Sequence, residues 1–169
     1  MIRWIVWIAA GLATLIAAIA LIGWRLPRAH AASVTARVTL APDAVYALLA
    51  DVSQYPSWRP DVKRLQRLAD RDGRPAWVEE TTSGRLPMYF ERMESPSLLV
   101  GRIADPSLPF GGTWTYRISA AAGGGSEVTI TEDGEIYNPI FRFMARFVFG
   151  YHATLNGFVR NLQAKAGRG

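Results

Sequence analysis

Groups able to move a proton are sparse in this sequence, and Glu132 is the one whose setting points to chemistry. It shares the alternation of Val128 and Ile130, so in a strand its carboxyl faces the side that they face. A carboxyl among apolar groups loses hydration, its pKa rises, and it can then act as an acid or base near neutral pH. The competing reading is a strand-end carboxylate paired with one of the 17 arginines. Glu79, Glu91 and Asp133 carry a weaker version of the same argument. Of the two histidines, His30 falls in a tether and His152 at the edge of a helical stripe, and neither has a Cys or carboxylate partner fixed by spacing. Both are read as structural. The absence of cysteine excludes thiolate metal sites and disulfides, and no two-His spacing, G-x-S-x-G elbow or phosphate-cradling glycine loop is present. No metal, no cofactor and no catalytic residue beyond Glu132 is expected.

The elements that would position Glu132 are mostly strands. Ser33–Leu40 alternates Val34, Ala36, Val38 and Leu40 against Thr35, Arg37 and Thr39, the period of a half-buried strand preceded by a short tether, residues 28–32. Pro42 opens a short helix with Asp43 in its first turn, and Val45, Leu48, Leu49 and Val52 make its buried stripe. A second short helix or turn follows to Trp58. Three hairpins come next, turning at residues 70–73, 94–97 and 123–125, which argues for an antiparallel meander.

Asn138-Pro139 then caps a long helix running to about Ala166, a rod of about 39 Å. Phe141, Met144, Val148, Tyr151, Leu155, Phe158, Val159 and Leu162 form its apolar stripe. Gly150 and Gly157 project away from that stripe, and a bend or a close contact with a neighbour are both open for them. Strands burying one face under a terminal helix make a two-layer α+β domain.

The amino terminus is different in kind. Trp4–Trp24 is 21 residues without a charge, enough to cross about 30 Å of hydrocarbon as a helix, with Trp4, Trp7 and Trp24 near its ends. A cleavable signal peptide is the alternative, since Ala29-His30-Ala31 has the small-x-small pattern. The apolar run is longer than such peptides carry, and Arg25 and Arg28 intervene before the cut. The expectation is a single-pass anchor through residues 4–24, with residues 1–28 as anchor and flanks and residues 29–169 as one domain. Arg25 and Arg28 outnumber Arg3, which leans the domain towards the cytoplasm, with the outer side as the alternative. The net charge of +5 is scattered and unaccompanied by a reader motif, so nucleic acid is not expected as a partner.

The stretch APDAVYALLADVSQYPSWRPDVKRL, the Trp114-x-Tyr116 strand, Val128–Glu132 (VTITE) and the aromatic-rich final helix resemble the START-like helix-grip superfamily (SRPBCC), and within it the polyketide cyclase/dehydrase and lipid-transport branch. The resemblance covers about residues 33–166 and is most specific over Val45–Trp58. It implies a helix-grip fold, a curved antiparallel sheet of about seven strands wrapped around the long C-terminal helix. It also implies an apolar cavity between the two, lined by Trp58, Trp77, Met88, Phe90, Trp114, Tyr116, Met144, Val148 and Tyr151. The alternative is that these residues fill a core. Residues 105–112 make a loop whose Leu108 and Phe110 would gate the cavity, or pack as an ordinary loop does. Phe143 and Phe149 fall off the helical stripe beside Arg142 and Arg146, so the cavity mouth is expected to face lipid.

Three functions follow as expectations. The first is membrane-anchored binding of a hydrophobic small molecule or lipid. The second is a polyketide cyclase or dehydratase working through Glu132. The third is a protein-interaction module with a filled interior.

Overall fold

A computed structural model describes residues 2–82 and 84–167 of the chain, so the extreme ends of the expected spans 1–28 and 29–169 lie outside it. The chain opens with helix α1 (Ile2–Arg25) and strand β1 (Ala29–Val38). Helix α2 (Pro42–Ala50), a 3₁₀ turn (Val52–Gln54) and the four-residue α3 (Tyr55–Trp58) follow. Six strands come next: β2 (Val62–Arg67), β3 (Ala76–Thr81), β4 (Gly84–Glu94), β5 (Leu98–Ile103), β6 (Phe110–Ala120) and β7 (Ser126–Ile136).

The seven strands form one curved antiparallel sheet in the order β1-β7-β6-β5-β4-β3-β2. From β2 to β7 consecutive strands pair because short turns join them, and β1 closes the row beside β7. Register shifts in β2 and β4 bend their strands and help to wrap the sheet. The inner face carries Ile130, Val128, Leu99 and Phe90, none more than 1% exposed, and Leu155 and Leu162 from the C-terminal helix meet them. This is the helix-grip arrangement expected.

Two expectations need correction. The strand begins at Ala29, four residues earlier than the alternation predicts, so residues 29–32 pair with β7 from Glu135 to Glu132 instead of forming a tether. Ala29-His30-Ala31 lacks β-branched residues and does not read as a strand alone; pairing with β7 supplies what propensity does not.

The second correction concerns the C-terminal rod, which is interrupted. Asn138 does cap it, its side chain accepting from Ile140 and Phe141 N–H at 2.9 and 3.2 Å. Helix α4 (Pro139–Met144) then passes into a π-helical turn (Ala145–Phe149). Gly150, at φ 75° and ψ 149°, ends it before α5 (Ala153–Ala166). A π turn advances the chain by less rotation per residue, which shifts the apolar stripe around the axis. Leu155, Phe158, Val159 and Leu162 stay buried, whereas Phe141 and Val148 are 51% and 57% exposed.

Helix α1 stands apart from this core, long and apolar enough to cross a membrane by length and composition. Among the described residues, its last turns pack against α4 of the domain.

Candidate functional site

Where α5 begins, three strands bring polar side chains together on the inner face. Glu132 of β7 lies opposite Ala32 of β1 and Trp114 of β6. His30 lies opposite Gly134, so it shares Glu132's face one step along the sheet. Its Nε2 is 3.8 Å from Glu132 Oε1, and its ring stacks on Tyr151 with centroids 4.3 Å apart and planes 15° from parallel. His30 therefore has a carboxylate neighbour and a fixed place, where its position in a presumed tether gave it neither. The signal that could have found it is parity: continued back along the strand, the inward set of Val38, Ala36 and Val34 reaches Ala32 and His30.

Burial pushes the Glu132 carboxyl up to about 6, and a hydrogen-bonding interaction from the Trp114 side chain holds it from rising further. Burial lowers the His30 imidazole from its ordinary value. At neutral pH the pair is thus a carboxylate beside a neutral imidazole, and a modest fall in pH puts a proton on the carboxyl. With its side chain 23% exposed, Glu132 remains within reach of a small molecule. Inward placement of Glu132, expected from alternation, is what the sheet delivers.

Deeper in the grip, where the resemblance implies an apolar cavity, the space is filled by rings packed on one another. Phe158 of α5 meets Trp58, Trp114 and Tyr116 at centroid distances of 5.5, 5.7 and 5.5 Å, and Trp77 meets Phe90 at 4.8 Å. Of the expected lining residues, Trp58, Trp77, Met88, Phe90 and Tyr116 are buried, and Trp114 and Tyr151 pack partly buried against them. Met144 is half-buried, and Val148 lies on the exposed side of the π turn. Leu108 is half-buried, while Phe110 is 39% exposed and already in β6, paired with Ile136. Phe110 is therefore held by a strand ladder, not carried on a free loop.

Among these rings sits an ion pair that sequence reading missed. Arg59 Nη1 donates to Glu79 Oε1 at 3.0 Å, its Nη2 lies 3.0 Å from Oε2, and Nη2 also donates to Asp61 at 2.7 Å. Trp77 Nε1 donates to Glu79 Oε1 at 3.1 Å. The guanidinium lies 5.0 and 5.3 Å from the Tyr55 and Phe158 ring centroids. Burial acts to lower the Arg59 pKa, but the Glu79 and Asp61 carboxylates more than reverse this, so it stays charged. Burial also raises the hydroxyls of Tyr55 and Tyr116 above their ordinary range, which leaves them as neutral hydrogen-bonding groups. Among the described residues, Trp58 Nε1 and Arg59 Nε find no hydrogen-bond partner. The only spacing clue was that Glu79 shares the parity of Trp77.

Two concavities of about 500 and 510 Å³ open elsewhere. One lies between Leu48, Pro56, Trp58 and Pro60 and the end of α5 at Asn161 and Lys165; the other lies on the outer face of the sheet beside Tyr89, Arg102 and Asp133. Among the described residues, no three His, Asp or Glu side chains are placed to hold a metal ion.

Comparison with known proteins bears on this arrangement. Residues 29–167 match the family model described as polyketide cyclase / dehydrase and lipid transport. No curated protein matches the sequence. Among solved structures, a START superfamily protein from Mycobacterium smegmatis superposes with TM-score 0.67 at 17% identity, covering 82% of this chain and 98% of that one. The ZhuI aromatase/cyclase from Streptomyces sp. R1128 gives 0.66 at 13%, covering 83% and 94%. Norcoclaurine synthase from Thalictrum flavum gives 0.65 at 8%, covering 83% and 88%. At such identities the likeness is one of fold.

Proposed function

The chain belongs to the polyketide cyclase/dehydrase and lipid transport family, and on that premise we propose that it is a membrane-anchored binding protein for a hydrophobic small molecule or lipid. In this reading residues 1–28 hold the chain in the bilayer through the apolar run 4–24, and residues 29–169 form the binding domain. Arg25 and Arg28 against Arg3 favour a cytoplasmic domain.

The observation that supports the reading is the partly exposed Glu132, with His30 and Tyr151, bordering an aromatic interior. Pockets for apolar ligands have this composition: mostly rings and aliphatic groups, with a few polar atoms that fix orientation. Burial of the ligand's apolar surface supplies about 25 cal/mol per Å² before the costs of association. The polar cluster would receive a hydroxyl, carbonyl or carboxyl at the ligand's one wet end. Trp114, Tyr151, Met88 and Met144 would form the walls nearest it, and Trp58, Trp77, Phe90 and Tyr116 the floor.

Native mass spectrometry of the full chain released from nanodiscs, with extraction of what co-purifies, tests this. One apolar molecule per chain, lost on Trp114→Ala, supports binding. An empty chain that also leaves hydrophobic probes unbound sinks the reading and favours a protein-interaction module with a filled interior.

One arrangement favours a second reading: Glu132 lies on the inner face with His30 Nε2 3.8 Å away, and burial raises its carboxyl to about 6, a range useful for proton transfer. A cyclase or dehydratase acting on a polyketide-like substrate would use it as the acid or base. In that case Glu132→Gln leaves binding of the extracted compound intact and abolishes its conversion.

A further inference from the structure

We propose that α4 and the π turn after it form a second membrane contact, lying in the bilayer interface against the last turns of α1 so that the end of the grip nearest Glu132 meets lipid directly. The proposal rests on the reading of α1 as a membrane span, and it concerns how the domain sits on that span.

Helix α1 is exposed along most of its length, but Ile19, Ala20 and Gly23, and Leu26 just past its end, are wholly or partly buried. Ile19 and Gly23 are four residues apart and Ala20, Gly23 and Leu26 three apart, which places them on one side of the helix. The element packed there is α4. At Gly23 the two backbones approach so closely that a methyl group would come within 2.7 Å of the Pro139 carbonyl carbon. Arg142, only 4% exposed, donates from Nη1 to the Leu26 carbonyl at 2.7 Å, satisfying an acceptor that the end of α1 leaves free. Ile136 N–H donates to the Arg28 carbonyl at 2.9 Å and fixes the strand end beside them. Arg142, expected to meet head groups, instead fastens the domain to α1.

This contact sets a depth. Ile19 lies six residues before Arg25, about 9 Å down the helix at 1.5 Å per residue. If Arg25 marks the edge of the hydrocarbon, whatever covers Ile19 lies below the head groups. The free side of α4 and the π turn suits that place. Ile140, Phe141, Phe147, Val148 and Phe149 are 38%, 51%, 59%, 57% and 66% exposed, five large apolar side chains within ten residues. Arg146 is also exposed there and can meet a lipid phosphate. Among the described residues, the other exposed large apolar side chains of the domain are Leu68, Phe110 and Tyr137, and Phe110 and Tyr137 flank this same end. An interfacial segment carries this distribution, apolar on one side with basic residues at its rim. Because the patch is mounted on the apolar helix itself, the bilayer that holds α1 is its occupant.

The chain has no cysteine, so single labels can be placed without removing any. The full chain would carry a nitroxide at Phe147→Cys or Phe149→Cys, with Leu12→Cys as a bilayer reference and Ala121→Cys, in the far turn between β6 and β7, as a water reference. Each protein is reconstituted in vesicles of phosphatidylcholine and phosphatidylglycerol, and collisions with oxygen and with an aqueous nickel chelate are compared. At residues 147 and 149 we expect nickel broadening to be lost and oxygen broadening to approach that at residue 12. Nickel access at 147 and 149 with residue 12 still shielded overturns the docking and leaves the span standing. Nickel access at residue 12 overturns the span, and the docking with it. Dipolar broadening between labels at 149 shows a second copy covering the patch, and that also overturns the proposal.

Discussion

The His30 imidazole lies flat on the Tyr151 phenol ring, 4.3 Å between centroids, and so ties the start of β1 to the turn where the C-terminal helix breaks. The stack needs an empty place on the neighbouring strand. A Cβ at Gly134 would fall 2.6 Å from His30 Nε2, well inside contact distance. Gly134→Ala should therefore expel the imidazole and cost about 1–3 kcal/mol, the usual penalty for overfilling a packed site. Chemical denaturation measures the cost, and loss of the ring-current shift on the His30 Cε1–H resonance reports the expulsion. An unchanged shift in a folded variant would show that the ring does not depend on Gly134.

Glu132 makes stability depend on pH with a definite sign. Its carboxyl rises from an ordinary 4.5 to about 6 in the fold, so the folded state holds the proton more tightly than the unfolded one. The stability this contributes is full below about 4.5 and is lost as pH rises through about 6, leaving an ionised carboxylate that costs about 2 kcal/mol. Glu132→Gln should then be more stable than the parent chain by about 2 kcal/mol at pH 7.5 and equal to it at pH 4, measured by urea unfolding. His30 works in the opposite direction: its lowered pKa withdraws stability as pH falls through 6.5 and below, in parent and variant alike. A constant difference across the range would mean that Glu132 titrates normally.

Local periodicity carried most of the architecture into view. Val34, Ala36 and Val38 alternate, Trp114, Tyr116 and Ile118 alternate, and Val128, Ile130 and Glu132 continue inward as expected, because a pleated strand offers its side chains no other choice. What escaped notice depends on contacts between distant segments. His30 reads as tether because nothing local makes Ala29–Ala32 a strand; Glu135 to Glu132 across the ladder does. Arg59 and Glu79 are 20 residues apart, in a chain rich in both signs, and only the fold selects that pair. A bend at Gly150 is one open reading, yet the period of three and four runs on through it in Val148, Tyr151 and Leu155, so the stripe points to a continuous rod where the π turn rotates it.

The Arg59–Glu79 pair is buried, and its worth shows when one half is removed. Glu79→Leu leaves a guanidinium under Phe158 with Asp61 as its remaining carboxylate, and strips Trp77 Nε1 of its acceptor. The expected cost is about 3 kcal/mol or more. Adding Arg59→Met to Glu79→Leu should recover most of it, since two apolar groups need neither partner nor water. Thermal unfolding of both single variants and the double variant gives the coupling directly; additive losses would mean that the pair does not act as a unit.

Two glycines of the C-terminal segment should answer the same substitution with opposite signs. Gly150 sits at φ 75° and ψ 149°, a conformation that a Cβ makes costly, although open space surrounds it. Gly150→Ala should lose about 1–3 kcal/mol, or escape the strain by closing the break into a continuous helix. Gly157 lies inside α5 with helical geometry, and a Cβ there would meet only the tip of Arg160 at 3.9 Å. Gly157→Ala should gain about 0.5–1 kcal/mol, the difference in helix propensity. Far-ultraviolet circular dichroism separates the two routes open to Gly150→Ala. A rise in helicity with loss of the His30–Tyr151 stack would show that the break is what holds Tyr151 over His30; unchanged helicity with lowered stability would show that the surrounding fold enforces the break against strain.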